Sequence, residues 1–322
     1  MLKKISFALS LTLCVGAYSQ AVHVDPKLPA YKKVSGVSGN LNSVGSDTLN
    51  NLMAYWTEAF GKQYPSVKIQ VEGKGSATAP PALIEGTSQL GPMSREMKNE
   101  EIDKFEKKYG YKPTKVAVAI DTLAVFVNKQ NPLKSLTMEE VDAIFSRNRK
   151  GGHAEIKTWG ELGLKGDLAG RPISLYGRNS ASGTYGYFKE HALFKGDFKD
   201  TVKEQPGSSS VVQGVGNDKT AIGYSGIGYI TSDVRALSLV GANKANEGKA
   251  FPATYENALS GKYPLSRYLY VYINKDPKKP IDPLVKEVLA FVLSKEGQEI
   301  VVKDGFLPLT PKIEQPEVAK LK

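Results

Sequence analysis

Val116-Ala117-Val118-Ala119-Ile120-Asp121-Thr122-Leu123-Ala124-Val125-Phe126-Val127-Asn128 reads as one long strand, and the architecture follows from where the chain goes around it. A second strand of this kind, Tyr268-Leu269-Tyr270-Val271-Tyr272-Ile273, lies far downstream. The segment between them, 122–267, has the size of one lobe. The segments outside, 39–121 and 268–322, would make the other. A chain that crosses out and returns in this way gives a discontinuous first lobe and a hinge of two strands. That geometry suits closure around a ligand held between the lobes.

Outside the two hinge strands, apolar strand-like runs such as Val67-Lys68-Ile69-Gln70-Val71 alternate with helical patterns, which argues for α/β lobes. Leu49, Leu52, Met53, Trp56 and Phe60 fall on one helix face, and packing explains them fully. Thr137-Met138-Glu139-Glu140 forms a capping box ahead of Val141, Ile144 and Phe145. Val285, Val288, Leu289 and Val292 mark another amphipathic helix near the end.

Lys3 and Lys4, an apolar run from Ile5 to about Gly16, and Ala17-Tyr18-Ser19 have the layout of a signal peptide over 1–19. The run is shorter than the ~20 residues a permanent span needs. Residues 20–38 follow as an extended lead-in. Cys14 is the sole cysteine and falls in the segment to be removed. A lipid-attachment role for it is disfavoured by the bulky Leu13 before it. Disulfides, zinc–thiolate sites and cysteine nucleophiles are thereby excluded from the mature chain. The formal charge of +10 would speed encounter with small anions. The lysines are interspersed with acids, as in Lys104-Phe105-Glu106-Lys107-Lys108, the pattern of solvated helix faces. No stripe of arginines and aromatics is present that would track nucleic acid.

Three polar segments each precede a helical pattern: Gly45-Ser46-Asp47-Thr48, Gly75-Ser76-Ala77-Thr78, and Arg178-Asn179-Ser180-Ala181-Ser182-Gly183-Thr184. At a helix start the first backbone N–H groups lack partners and the dipole is positive, so hydroxyls and glycines there suit an anion. Ordinary N-capping is the competing reading for each. Arg178 tips the third, because a guanidinium ahead of Ser182-Gly183-Thr184 supplies a fixed fork of donors for a tetrahedral oxyanion.

These segments, with Leu136-Thr137, Ile144-Phe145, Trp159, Ala221-Ile222-Gly223-Tyr224, Gly297-Gln298 and Asp304-Gly305-Phe306, resemble the phosphate-binding proteins of phosphate ABC transporters. The resemblance runs from about Gly39 to Pro308. It implies a two-lobed periplasmic binding protein fold of type II-like architecture, with inorganic phosphate buried between the lobes. It also implies delivery to the membrane permease subunits of an importer, a periplasmic location and no cofactor. Carried over, it places Thr48 and the Leu49 N–H in the first phosphate loop and Ser76 in the second; Ser46 and Asp47, from the same polar segment as Thr48, join them as candidate site residues. Arg178, Ser182, Gly183 and Thr184 bind from the other lobe. Two acidic positions depart from the family: Ser94 stands where an aspartate accepts the phosphate proton, and Ser180 where an aspartate pairs with the arginine. Asp47 is the first candidate to replace the missing proton acceptor, and Asp121 the second. Helix capping is the competing role for both Asp47 and Ser94.

Catalysis on the same anion site is the main rival. His191 lies nine residues beyond Ser182, about 13 Å along a helix and half a turn out of phase, too far to activate it. His23 and His153 lie in loop-like segments, and Gly223-Tyr224-Ser225-Gly226 lacks the spacing of a nucleophile elbow. A site for sulfate, molybdate or arsenate would use the same donors, and the basic surface would also suit adhesion.

Overall fold

In the computed structural model residues 22–241 and 248–322 are described; the expected signal peptide over 1–19, with Cys14, lies outside them. The chain begins with β1 (Gly39–Val44), α1 (Asn50–Gln63), β2 (Val67–Glu72), α2 (Ala79–Glu85), β3 (Gly91–Met93) and α3 (Asn99–Tyr109). The long strand β4 (Thr114–Asn128) follows, buried almost throughout. Beyond it come β5 (Ser135–Thr137), α4 (Met138–Phe145), β6 (Ser174–Arg178), α5 (Gly183–His191), β7 (Lys203–Gln205) and α6 (Ser208–Asn217). The next elements are β8 (Ala221–Gly226), β9 (Val234–Ala236), β10 (Ser238–Val240), β11 (Ala250–Phe251) and α7 (Tyr255–Leu259). The chain returns through β12 (Ser266–Ile273) and ends in α8 (Pro283–Leu293), α9 (Lys295–Lys303) and α10 (Pro311–Ala319).

β4 changes neighbours halfway along. Residues 114–122 pair antiparallel with β12, while Leu123–Val127 pair antiparallel with β8. The resulting sheet has the order β3-β12-β4-β8-β6-β7, so one strand belongs to both halves. The apolar cores divide at the same place. Val116, Val118 and Ile120 pack with Leu52, Trp56, Phe60, Leu269 and Val288. Leu123, Val125 and Val127 pack instead with Ile144, Phe145, Trp159, Phe188 and Leu265. Burial of this kind stabilises by roughly 25 cal/mol per Å² of apolar surface, so each half has its own reason to stay folded while β4 and β12 join them.

Local signals act as expected in several places. The α1 face is buried at Leu52, Met53, Trp56 and Phe60. Thr137 and Glu140 form the capping box of α4. The lead-in segment packs on the first half, where Tyr31 Oη meets Tyr64 Oη at 2.7 Å and donates to Glu287 at 2.9 Å.

Two boundaries differ from expectation. β12 begins at Ser266, which brings Arg267 into the strand opposite Asp121. The helix that Ser94 would cap starts only at Asn99. Glu101 sets that start: its carboxylate accepts from the Lys98 N–H at 2.8 Å and holds Arg95 by two hydrogen bonds. Ser94 therefore lies outside the helix and does not cap it.

Candidate functional site

Each of the three polar segments leaves the carboxyl end of a strand, where open α/β sheets hold their ligands. β1 runs into a short 3-10 turn at Asp47–Leu49 and then α1. β2 leads to a similar turn at Ser76–Thr78 ahead of α2, whose prolines occupy the first turn. β6 ends at Arg178, and Ser182 caps α5 by accepting from the Thr184 and Tyr185 N–H groups.

The three loops converge. Ala77 N–H donates to Ala181 O at 3.1 Å, joining the second loop to the third. Thr48 Oγ1 and Thr184 Oγ1 lie 3.0 Å apart, joining the first to the third. Ser46 Oγ donates to Ser94 Oγ at 3.0 Å, while Ser76 Oγ lies 3.2 Å from Ser94 Oγ and accepts from the Ser94 N–H at 3.0 Å. Gly183 permits this approach: a Cβ there would sit 2.3 Å from Ser76 Oγ and 2.5 Å from Ser94 Oγ. Ser46, Thr48, Ser76, Ser94, Ser182 and Thr184 are all buried. Six hydroxyls gathered out of water are costly unless something accepts their hydrogens, and an oxyanion has acceptors to spare.

Arg178 is also buried and stands at the edge of this cluster. Its Nη2 forms an ion pair with Asp47 Oδ2 at 3.1 Å and donates to Pro206 O at 3.0 Å, and Nη1 donates to Ser208 Oγ at 2.7 Å. Nε has no partner among the described residues. Burial pushes the guanidinium down from its ordinary value, and the Asp47 charge opposes that shift.

Asp47 does not cap its own helix. Its Oδ2 is ion-paired with Arg178 and accepts from the Ser208 N–H at 3.0 Å and Ser208 Oγ at 3.3 Å, at the start of α6 in the other half. The acidic partner absent at Ser180, which is exposed, thus arrives from a different loop. The Leu49 N–H is not the open donor expected for the anion. It closes its own turn on Ser46 O at 3.3 Å, because a 3-10 turn folds each N–H back three residues. Asp121 lies behind Thr184, paired with Arg267 through Oδ2 at 2.8 Å.

Three residues at the site escape the sequence reading. Arg267 sits on the same buried strand face as Leu269, and a charge on an apolar alternation is a usable signal. Ser208 opens a serine run before Val211, Val212 and Val215, the same loop-before-helix pattern as the other three segments. Tyr229 follows β8 in a short 3-10 turn, and its hydroxyl donates to Thr48 O at 3.0 Å and Asp47 O at 3.4 Å. Nothing in its local sequence marks it.

The chain matches the family model described as a PBP superfamily domain over residues 32–296. It is 57% identical to the phosphate-binding protein PstS of Pseudomonas aeruginosa, over 99% of this chain and 99% of that protein. It is 30% identical to the protein SphX of Synechococcus elongatus, over 83% of this chain and 77% of that one. Among solved structures it is similar to one with bound phosphate, assigned as a phosphate ABC transporter substrate-binding protein from Clostridium perfringens. That similarity has a TM-score of 0.69 at 28% identity, covering 84% of this chain and 100% of that one.

Proposed function

We propose, for a chain that belongs to the PBP superfamily and within it to the PstS phosphate-binding proteins, that it captures inorganic phosphate between its two lobes and passes it to an ABC importer. The observation that carries this reading is the convergence of Thr48, Ser76 and Thr184, from three loops and both halves, on one buried cluster. In this reading the lobes are 39–121 with 268–322, and 122–267. The chain is exported by a signal peptide over 1–19 to the periplasm, where the permease subunits of the importer receive its ligand. It works as a binder and carries out no chemistry.

Ser46, Thr48, Ser76, Ser94, Ser182 and Thr184 supply hydroxyl donors, Gly183 supplies an amide, and Arg178 supplies its Nε. Ser182 Oγ already accepts from two N–H groups, so its own hydrogen is free to donate. Arg178 and Arg267 are balanced by Asp47 and Asp121, so the ligand's charge is met by oriented donors in place of a net positive charge. Hydrogen bonds to charged groups contribute about 1.5–3 kcal/mol each, net. A micromolar site needs only about 8 kcal/mol, so several such bonds suffice even after the cost of ordering the lobes.

Phosphate near neutral pH retains a proton and sulfate does not, so a carboxylate in the site accepts from the first and repels the second. Asp47 takes that role in this reading, since the Ser208 hydrogen bonds and the Arg178 ion pair all fall on its Oδ2 and leave Oδ1. Asp121 is set back behind Arg267 and Thr184. Native mass spectrometry of the purified protein tests the ligand. The expected result is a bound mass equal to phosphate that is lost on unfolding; sulfate or no bound anion, with no uptake of added phosphate, would refute the proposal.

A further inference from the structure

The two hinge strands carry a charged pair that makes no direct contact with the ligand in the reading above. Asp121 and Arg267 face each other in the β4–β12 register, and both side chains are almost wholly buried. Arg267 Nη2 and Nε donate to Asp121 Oδ2 at 2.8 and 3.1 Å. The same Nη2 donates to Thr184 Oγ1 at 2.8 Å. Thr184 Oγ1 in turn lies 3.0 Å from Thr48 Oγ1. A continuous chain of contacts thus runs from the hinge to the phosphate loops of both lobes.

Counting hydrogens shows what this chain leaves for a ligand. A guanidinium has donors only, and a threonine hydroxyl has one hydrogen and two lone pairs. Arg267 takes one lone pair of Thr184 and no hydrogen, so the Thr184 hydrogen is not spent on the hinge. Between Thr48 and Thr184 either hydroxyl can donate, and whichever way that bond runs, one of the two hydrogens stays free. When an oxyanion enters, both hydroxyls can turn their hydrogens to it while Arg267 holds Thr184 Oγ1 in place. Donation from a charged group also strengthens the next bond in such a chain.

We infer that Arg267 is a positioning residue: held in place by Asp121, it fixes the Thr184 and Thr48 hydroxyls as donors toward the bound oxyanion. This inference rests on the phosphate-binding reading. It places the recognition of the phosphate proton away from these hydroxyls and on the Asp47 side of the site.

The test is a mutant cycle read by calorimetric titration with inorganic phosphate. It compares wild type, the charge-neutral Arg267→Gln/Asp121→Asn variant, Thr184→Val, and the triple variant. The neutral pair is expected to bind about tenfold more weakly, the size of one hydrogen bond from a charged group. The triple variant should bind within about twofold of Thr184→Val, because residues acting through one hydroxyl do not add. Wild-type affinity in the neutral pair, or losses that multiply in the triple variant, would overturn the inference. Should the neutral pair melt below the assay temperature, Arg267→Lys carries the same cycle with the same expected non-additivity. A wild-type protein that binds no phosphate would sink the functional reading and this inference together; phosphate binding with additive losses would sink the inference alone.

Discussion

Arg178 and Arg267 are both nearly inaccessible to solvent, and each is paired with one oxygen of a single aspartate, yet the two pairs join different things. Arg178 reaches across from the end of β6 to Asp47 in the loop after β1, so its pair spans the two halves. Arg267 lies directly opposite Asp121 on neighbouring strands, so its pair is made within the hinge. Asp47 keeps a quarter of its side chain in contact with water, while Asp121 keeps none. In the proposed closure the first pair separates as the lobes part, since water is at hand to take over. The second has no such substitute and stays paired. On that reading one pair marks closure, and the other gives the loops a fixed reference.

The contrast breaks most directly at Asp121. Removing one member of a fully buried ion pair costs about 3–5 kcal/mol, so Asp121→Ala should lower urea stability by that order. Asp47→Ala should lower it far less, because Arg178 retains Ser208 and Pro206 as partners. Equal losses in the two variants would erase the distinction.

Arg178→Ala comes next. Phosphate affinity should fall at least about tenfold, and more where several charged hydrogen bonds are lost, while the fold survives. Calorimetry beside a thermal melt reads both, and undiminished affinity would remove Arg178 from the site. A smaller effect is expected for Asp47→Asn, where competition with sulfate should show the preference for phosphate shrinking several-fold. An unchanged ratio would take the proton-acceptor role from Asp47.

The smallest effect concerns a carboxyl oxygen without a partner among the described residues. Asp304 Oδ2 is buried and unpaired there, and burial raises its carboxyl to about 6. A group raised in the folded state lends stability below the ordinary carboxylate range and loses it as pH rises through about 6. Asp304→Asn should therefore flatten the fall of melting temperature over that window and leave the variant more stable than wild type at about pH 8. A wild-type curve that is already flat there would contradict this.

The sequence carried the architecture because its decisive element is local: the consecutive residues from Val116 to Asn128 can be read as a strand without knowing what they pair with. The three loops were legible for the same reason, each being a run of hydroxyls and glycine before a helical pattern. What stayed hidden depends on neighbours far along the chain. Arg267 and Asp121 are 146 residues apart, and only the strand register makes them partners. Asp47 meets Ser208 across 161 residues, and only when the two halves are drawn together. Ser94 has the local look of a helix cap, but Glu101, further on, sets the helix start by reaching back to Lys98.

Whether both halves hold one ion is decided by a crystal structure of the protein with phosphate. One tetrahedral ion is expected within hydrogen-bonding distance of Thr48, Ser76 and Arg178 at once, with Thr184 still accepting from Arg267. An ion held by one lobe alone, or seated away from Arg178, would contradict that expectation.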